Sequence, residues 1–180
     1  KSVYVEAEWD PRDPVGETRY IEGLRGEFGL PTVMVAQAWL DASDAPRLLE
    51  QQAGFGFVRS VRHKPRANAS PNDAAPGGTT DARWRAGYAE LARNGLRFDL
   101  QTPWWHLAEA ARLGVRRFVV DSAMDCRTVA EVAPGSAVLV RVTKGQGGAG
   151  CTPTEAVSVL VGAARLGLDA AGVSVDVGAE

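Results

Sequence analysis

Seven short runs with strand-like apolar patterning punctuate this sequence, and six helical stretches lie between them. The strand signals are Val3–Trp9, Thr32–Leu40 (ending near Gln37), Phe57–Lys64, Leu96–Gln101, Arg116–Ser122, Ala137–Val142 and Val173–Gly178. The helical signals are Gly16–Leu30, Asp44–Gly54, Ala82–Gly95, Trp104–Gly114, Met124–Gly135 and Thr152–Gly172. Asp44 and Asp81 are the expected N-caps of the second and third helices, and Thr152 with Glu155 forms a capping box for the last. Strict alternation of this kind demands an α/β fold, with parallel strands joined by helical crossovers.

Two architectures satisfy that demand, an open doubly wound sheet and a (β/α) barrel. Polar residues recur at the C-terminal ends of the strand signals: Glu6, Glu8, Gln37, His63, Lys64, Asp99, Gln101, Asp121, Arg141 and Asp176. A barrel gathers groups from many strand ends at that face, whereas an open sheet needs them only near a switch point. No GxGxxG follows the first strand, and no GxxxxGK[ST] occurs. The expectation is one TIM-barrel-like domain over 1–180, with seven parallel strands and six helices, either incomplete or closed with seven strands.

Length and composition are compatible with that. The 180 residues are enough for one domain with a sizeable core, and 45% hydrophobic with 23% charged residues is ordinary for a globular chain. A net charge of −2 supplies no general field for nucleic acid or an anionic membrane. No apolar run is long enough to span a bilayer, and no signal peptide stands at Lys1, which is itself no natural start. A cytoplasmic location is expected. Cys126 and Cys151 belong to no CxxC pair or Cys/His cluster and read as free thiols.

The segments "VYVEAEWDPRDPVGETRYIEGL", "LPTVMVAQAWLDASDAPRLLE", "VRSVRHKPR" and "WRAGYAELARNGLRFDLQTPWWHLAEAARL" resemble the amidohydrolase-2 type, metal-dependent TIM-barrel hydrolases that include lactonases. By that resemblance, residues 1–113 supply strands two to five of an eight-stranded barrel. The segments "GVRRFVVDSAMDCRTVAEVAPG", "AVLVRV" and "GVSVDVGAE" resemble a different barrel. It belongs to the pyridoxal-phosphate decarboxylases acting on ornithine, lysine or diaminopimelate, the alanine-racemase-like fold. There, residues 114–180 correspond to strands four to six. The chain thus looks like a chimera, joined near Leu107–Val115.

The resemblances also imply which chemistry is missing. The hydrolases hold a divalent metal through a His-x-His on their first strand, a later His and an Asp on strand eight; only His63 and His106 are present here. His63 with Lys64 stands at a strand end, and His106 reads as a helix-start or surface residue. The decarboxylases form a Schiff base on a first-strand lysine and stack a histidine on the cofactor ring. Here Asp176 takes that histidine's place, and Ala179 takes that of a phosphate-contacting serine. Arg141 matches the family's strand arginine, whereas Lys144 lies outside the family context. The Gly145–Gly150 stretch precedes a helix as phosphate loops do, yet reads as a flexible connection. Trp104 and Trp105 read as packing residues.

The resulting expectation is a chimeric or fragment barrel with no intact active site and a fold-level role. No cofactor is expected, neither metal nor pyridoxal phosphate. The alternatives are a residual hydrolase using His63, Lys64, Glu6 or Glu8 for catalysis, and a degenerate decarboxylase fragment or oligomeric binding module. Gln37, Asp99, Gln101, Arg141 and Asp176 are the candidates for binding a small molecule. Open edges at Val3–Trp9 and Val173–Gly178 predict a homo-oligomer.

Overall fold

The structure, a computed structural model, describes residues 1–73, 75–114, 117–120, 127, 129–131, 134–135, 137–143 and 153–176. The chain divides into two compact units, Lys1–Thr102 and Pro103–Glu180. The expected set of seven strands is described as two parallel sheets, one of four strands and one of three.

The first unit holds β1 (Val3–Val5), β2 (Val33–Gln37), β3 (Val58–His63) and β4 (Arg97–Leu100), hydrogen-bonded in that order. Every pairing is parallel, with Tyr4 beside Met34, Ala36 beside Val61 and Arg62 beside Asp99. β1 is shorter than its apolar run suggested. Glu6 still donates its N–H to Val35 O at 2.9 Å, but Glu8 adopts φ +53 and turns the chain out of the sheet.

Helix α1 (Pro14–Phe28) starts where Asp13 accepts from Gly16 N–H, and it stops at Gly29, whose φ of +72 suits a left-handed cap. Helix α2 (Ala45–Ala53) has no side-chain cap bond; the Asp44 carboxylate expected in that role pairs with Arg47 at 2.6 Å instead. Helix α3 (Ala82–Arg93) is capped as expected, with Asp81 accepting from Arg83 and Trp84 N–H.

The core lies between these helices and the sheet, around Met34, Ala36, Leu40, Leu49, Val61 and Trp84. Trp84 stacks on Tyr88 and meets Phe98 edge-on. Burying an indole of this kind contributes about 3–5 kcal/mol. A buried polar clasp joins α1, α2 and β2: Gln52 Nε2 donates to Gln37 O at 2.9 Å, while Gln52 Oε1 accepts from Thr18 Oγ1 at 2.8 Å. Gly87 lets α3 close onto the turn after β2, where an added Cβ would lie 2.0 Å from Leu40 O.

The second unit holds β5 (Arg117–Val120), β6 (Ala137–Thr143) and β7 (Asp169–Asp176), also parallel, with α4 (Leu107–Arg112) and α5 (Pro153–Arg165). Arg127 and residues 129–131 are helical, within the span where the fifth helix was expected. The last helix is shorter than its sequence signal. It ends at Arg165, Gly167 turns with φ +74, and the strand begins at Asp169. "DAAG" is therefore strand, despite alanines that favour helix, because pairing with β6 outweighs local propensity. Val138 pairs with Ala170 and Leu139 with Gly172, so Ala171 is the extra residue of a bulge. Among the described residues no helix is long and apolar enough to cross a membrane.

Candidate functional site

A cavity of about 340 Å³ opens at the C-terminal ends of β1, β2 and β3. Its walls are Glu6, Glu8, Gln37, Trp39, Asp41, Arg62, His63, Lys64 and Arg66. Parallel strands all deliver their ends to one side, and this is why residues distant in sequence converge here.

Glu6 is buried at the end of β1. Its Oε2 accepts from Glu8 N–H at 2.9 Å, and its Oε1 lies 4.0 Å from Arg62 Nε. Burial pushes its carboxyl above the ordinary glutamate value, against the opposing pull of that hydrogen bond and of Arg62. Arg62 forks onto Asp99 Oδ2, with Nη2 at 2.6 Å and Nε at 3.1 Å. Lys64 Nζ is held by Glu8 Oε2 at 2.9 Å.

His63 is the most constrained group. Its Nδ1 accepts from Leu40 N–H at 3.1 Å and from Trp84 Nε1–H at 3.0 Å. Neither an amide N–H nor an indole N–H can reverse its role, so the ring proton of neutral His63 sits on Nε2. Nε2 lies 3.7 Å from Asp41 Oδ1. Burial lowers the imidazole's proton affinity, with Asp41 and Glu8 opposing. Trp39 lies parallel to the His63 ring, centroids 6.3 Å apart, and is itself 42% exposed.

Gln37 ends β2 at 2% exposure, and neither polar atom of its carboxamide has a hydrogen-bond partner among the described residues. A buried carboxamide left unpaired costs about 1–3 kcal/mol, so such groups call for a partner.

Of the sequence candidates, Glu6, Glu8, Gln37, His63 and Lys64 share this cavity. Asp99 acts through Arg62, and Gln101 donates its backbone N–H to His63 O at 3.5 Å. Arg141 and Asp176 stand on β6 and β7 of the second unit, paired with Ser174 and Thr143. Asp121, Cys126, Lys144, residues 145–150, Cys151, Thr152 and Ala179 lie outside the described residues, as do the Trp104 and Glu155 side chains. His106, expected at a helix start or on the surface, precedes α4 and is 4% exposed, with Nδ1 3.3 Å from Glu109 Oε1. Trp39, Asp41, Arg62, Arg66 and Trp84 were not singled out from the sequence. For Arg62 the signal was its place beside His63 in "VRHKPR". Trp84 offered none, since its role depends on α3 packing over β3.

The base role considered for His63 meets a structural objection. A base needs a bare Nε2, and so does a metal ligand facing the cavity, yet the two donors on Nδ1 keep the proton there. Among the described residues no group of three or more His, Cys, Asp or Glu side chains is placed to hold a metal ion.

No protein-family model matches the sequence. The chain is 31% identical over 118 residues to an uncharacterized protein, y4mH, of Sinorhizobium fredii (strain NBRC 101917 / NGR234), a match covering 63% of this chain and 39% of that protein. Among solved structures it resembles lysine decarboxylase from Selenomonas ruminantium, with 22% identity and a TM-score of 0.60 over 99% of this chain and 42% of that one. It also resembles SrLDC in complex with PLP and cadaverine, with 26% identity and a TM-score of 0.57 over 93% of this chain and 39% of that one. The arginine decarboxylase of Paramecium bursaria Chlorella virus is similar too, with 18% identity and a TM-score of 0.56 over 99% and 44%. The chain spans about two fifths of the length of these relatives. The likeness to decarboxylases, expected for residues 114–180 alone, extends over nearly the whole chain. The fold is thus the α/β, parallel-stranded one whose solved neighbours are barrels of the PLP-dependent decarboxylases.

Proposed function

We propose that this chain is a piece of a (β/α) barrel that binds a small molecule at its strand ends and carries neither decarboxylase nor metal-hydrolase chemistry. The buried, unpartnered Gln37 carboxamide in the wall of the cavity carries this reading. Pyridoxal phosphate, which the fold neighbours imply, does not fit the described residues. A Schiff base needs a free lysine amine in a shielded site, and the dianionic phosphate needs a cradle of donors. The cavity's lysine, Lys64, is tied to Glu8 and 43% exposed, Arg62 is held by Asp99, and the three cations of the wall, Arg62, Lys64 and Arg66, are matched by the carboxylates of Glu6, Glu8 and Asp41 rather than gathered into a phosphate cradle.

The test is to mix the protein with pyridoxal phosphate, reduce with borohydride and map any adduct by mass spectrometry. Unmodified protein is expected; a stoichiometric adduct on Lys64 or Lys144 would overturn the proposal.

A second reading, a residual hydrolase, draws on Glu6, whose raised proton affinity suits a general acid. Turnover of a lactone by the wild type that Glu6→Gln abolishes would establish it over the binding reading. The segment resemblances support a splice of an amidohydrolase-like piece over 1–113 with a decarboxylase-like piece over 114–180.

A further inference from the structure

The cavity's polar groups fall into two sets. Lys64 is paired with Glu8, and Arg62 with Asp99. Outside those pairs stand Gln37, the Nε2 side of His63 with Asp41 at 3.7 Å, and the exposed Arg66. The wall carries three carboxylates, Glu6, Glu8 and Asp41, against three cations, Arg62, Lys64 and Arg66, and so favours neither an anion nor a cation. Trp39 adds a partly exposed aromatic face alongside the imidazole.

We propose that this cavity recognises an uncharged small molecule presenting a carbonyl oxygen next to an N–H or O–H donor, with His63 acting as a fixed Nε2–H donor and Gln37 as a paired donor and acceptor. Trp84 is the positioning residue. Its indole N–H, together with Leu40 N–H, selects the tautomer and turns Nε2–H toward the cavity. A carboxamide edge is matched by an edge that accepts and donates side by side, as a cyclic amide does. An anion would meet Asp41 beside His63, and a cation would meet the imidazole N–H. The inference rests on the binding reading above, but its tests are separate from the adduct test.

The full chain is labelled with ¹⁵N, and the His63 ring is read by long-range ¹H–¹⁵N correlation. Nε2–H as the single neutral tautomer is expected, and Nδ1–H would overturn the proposal. δ-Valerolactam, valerate and piperidinium are then titrated. The lactam is expected to shift the His63 Nε2 and Gln37 side-chain amide signals, and the two ions are not. Gln37→Met, close in volume but unable to pair, is expected to weaken lactam binding by at least about tenfold. An absent lactam shift, tighter binding of either ion, or equal lactam affinity in Gln37→Met would each refute the ligand class. Trp84→Phe, which keeps the ring against Tyr88 and Phe98 but leaves Leu40 N–H alone on Nδ1, is expected to shift the His63 Nδ1 ¹⁵N signal and weaken lactam binding with Nε2–H retained; an unchanged Nδ1 signal together with unchanged lactam affinity would refute the positioning role. If that variant does not fold, the wild-type tautomer and Gln37→Met still decide.

Discussion

Replacing Gly87 by alanine sets two physical effects against each other. Glycine inside a helix is normally a liability, and an exposed Gly→Ala change in a helix gains about 0.5–1 kcal/mol. Gly87 sits inside α3, yet a Cβ there would lie 2.0 Å from Leu40 O, 2.8 Å from Leu40 C and 3.0 Å from Leu40 Cα. All three are backbone atoms and cannot swing aside. A comfortable carbon–oxygen contact is over 3 Å, so α3 would have to withdraw from the turn by about 1 Å, the scale of overpacking that costs about 1–3 kcal/mol. The net expectation is a loss of about 1–2 kcal/mol once the propensity gain is subtracted. Urea unfolding followed by tryptophan fluorescence measures it, because Trp84 is in the same helix. Gly23→Ala and Gly26→Ala in α1 are the controls. Both positions are exposed and have nothing within 4 Å of the added carbon, so both should gain stability. If Gly87→Ala is as stable as those controls, the close packing of α3 on Leu40 is wrong. The placement of the Leu40 N–H on His63 would then fall with it.

His63 gives a pH-dependent signature. Its proton affinity is lowered in the folded state, so the unfolded chain binds the proton first. Its contribution to stability is then complete above the ordinary histidine value of about 6.5 and is lost as pH falls toward the lowered folded value. The difference in unfolding free energy between wild type and His63→Gln, measured from roughly pH 7 to pH 5, should shrink on acidification; a difference that grows would reverse the sign argued here. The edge strand β1, with Val3 60% exposed, predicts self-association, and light scattering at high concentration should report more than a monomer.

Much of the fold was legible because its signals are local. Alternation of strand and helix, the Asp81 cap and the strand positions of Val33–Gln37 and Val58–His63 depend on neighbours a few residues away. Errors arose where a competing partner decided, distant in one case and three residues away in the other. "DAAG" became strand because β6 was available to pair with it, and Asp44 gave up its cap for Arg47. The candidate site was legible in part for the same reason. Glu6, Gln37 and His63 could be read as strand-end residues, and parallel strands put strand ends together.

What the sequence determined by itself was the α/β class, the order of elements and the set of polar residues presented at one end of the strands, since these follow from periodicities of two and 3.6 and from strand direction. What only the tertiary structure decided was the state of those residues. Lys64 is neutralised by Glu8, Gln37 is buried without a partner, and His63 keeps its proton on Nε2 because Leu40 and Trp84 reach its other nitrogen from a turn and a helix elsewhere in the chain. Hydrogen bonds act over about 3 Å, and no pattern in the chain specifies which donors will arrive within that distance.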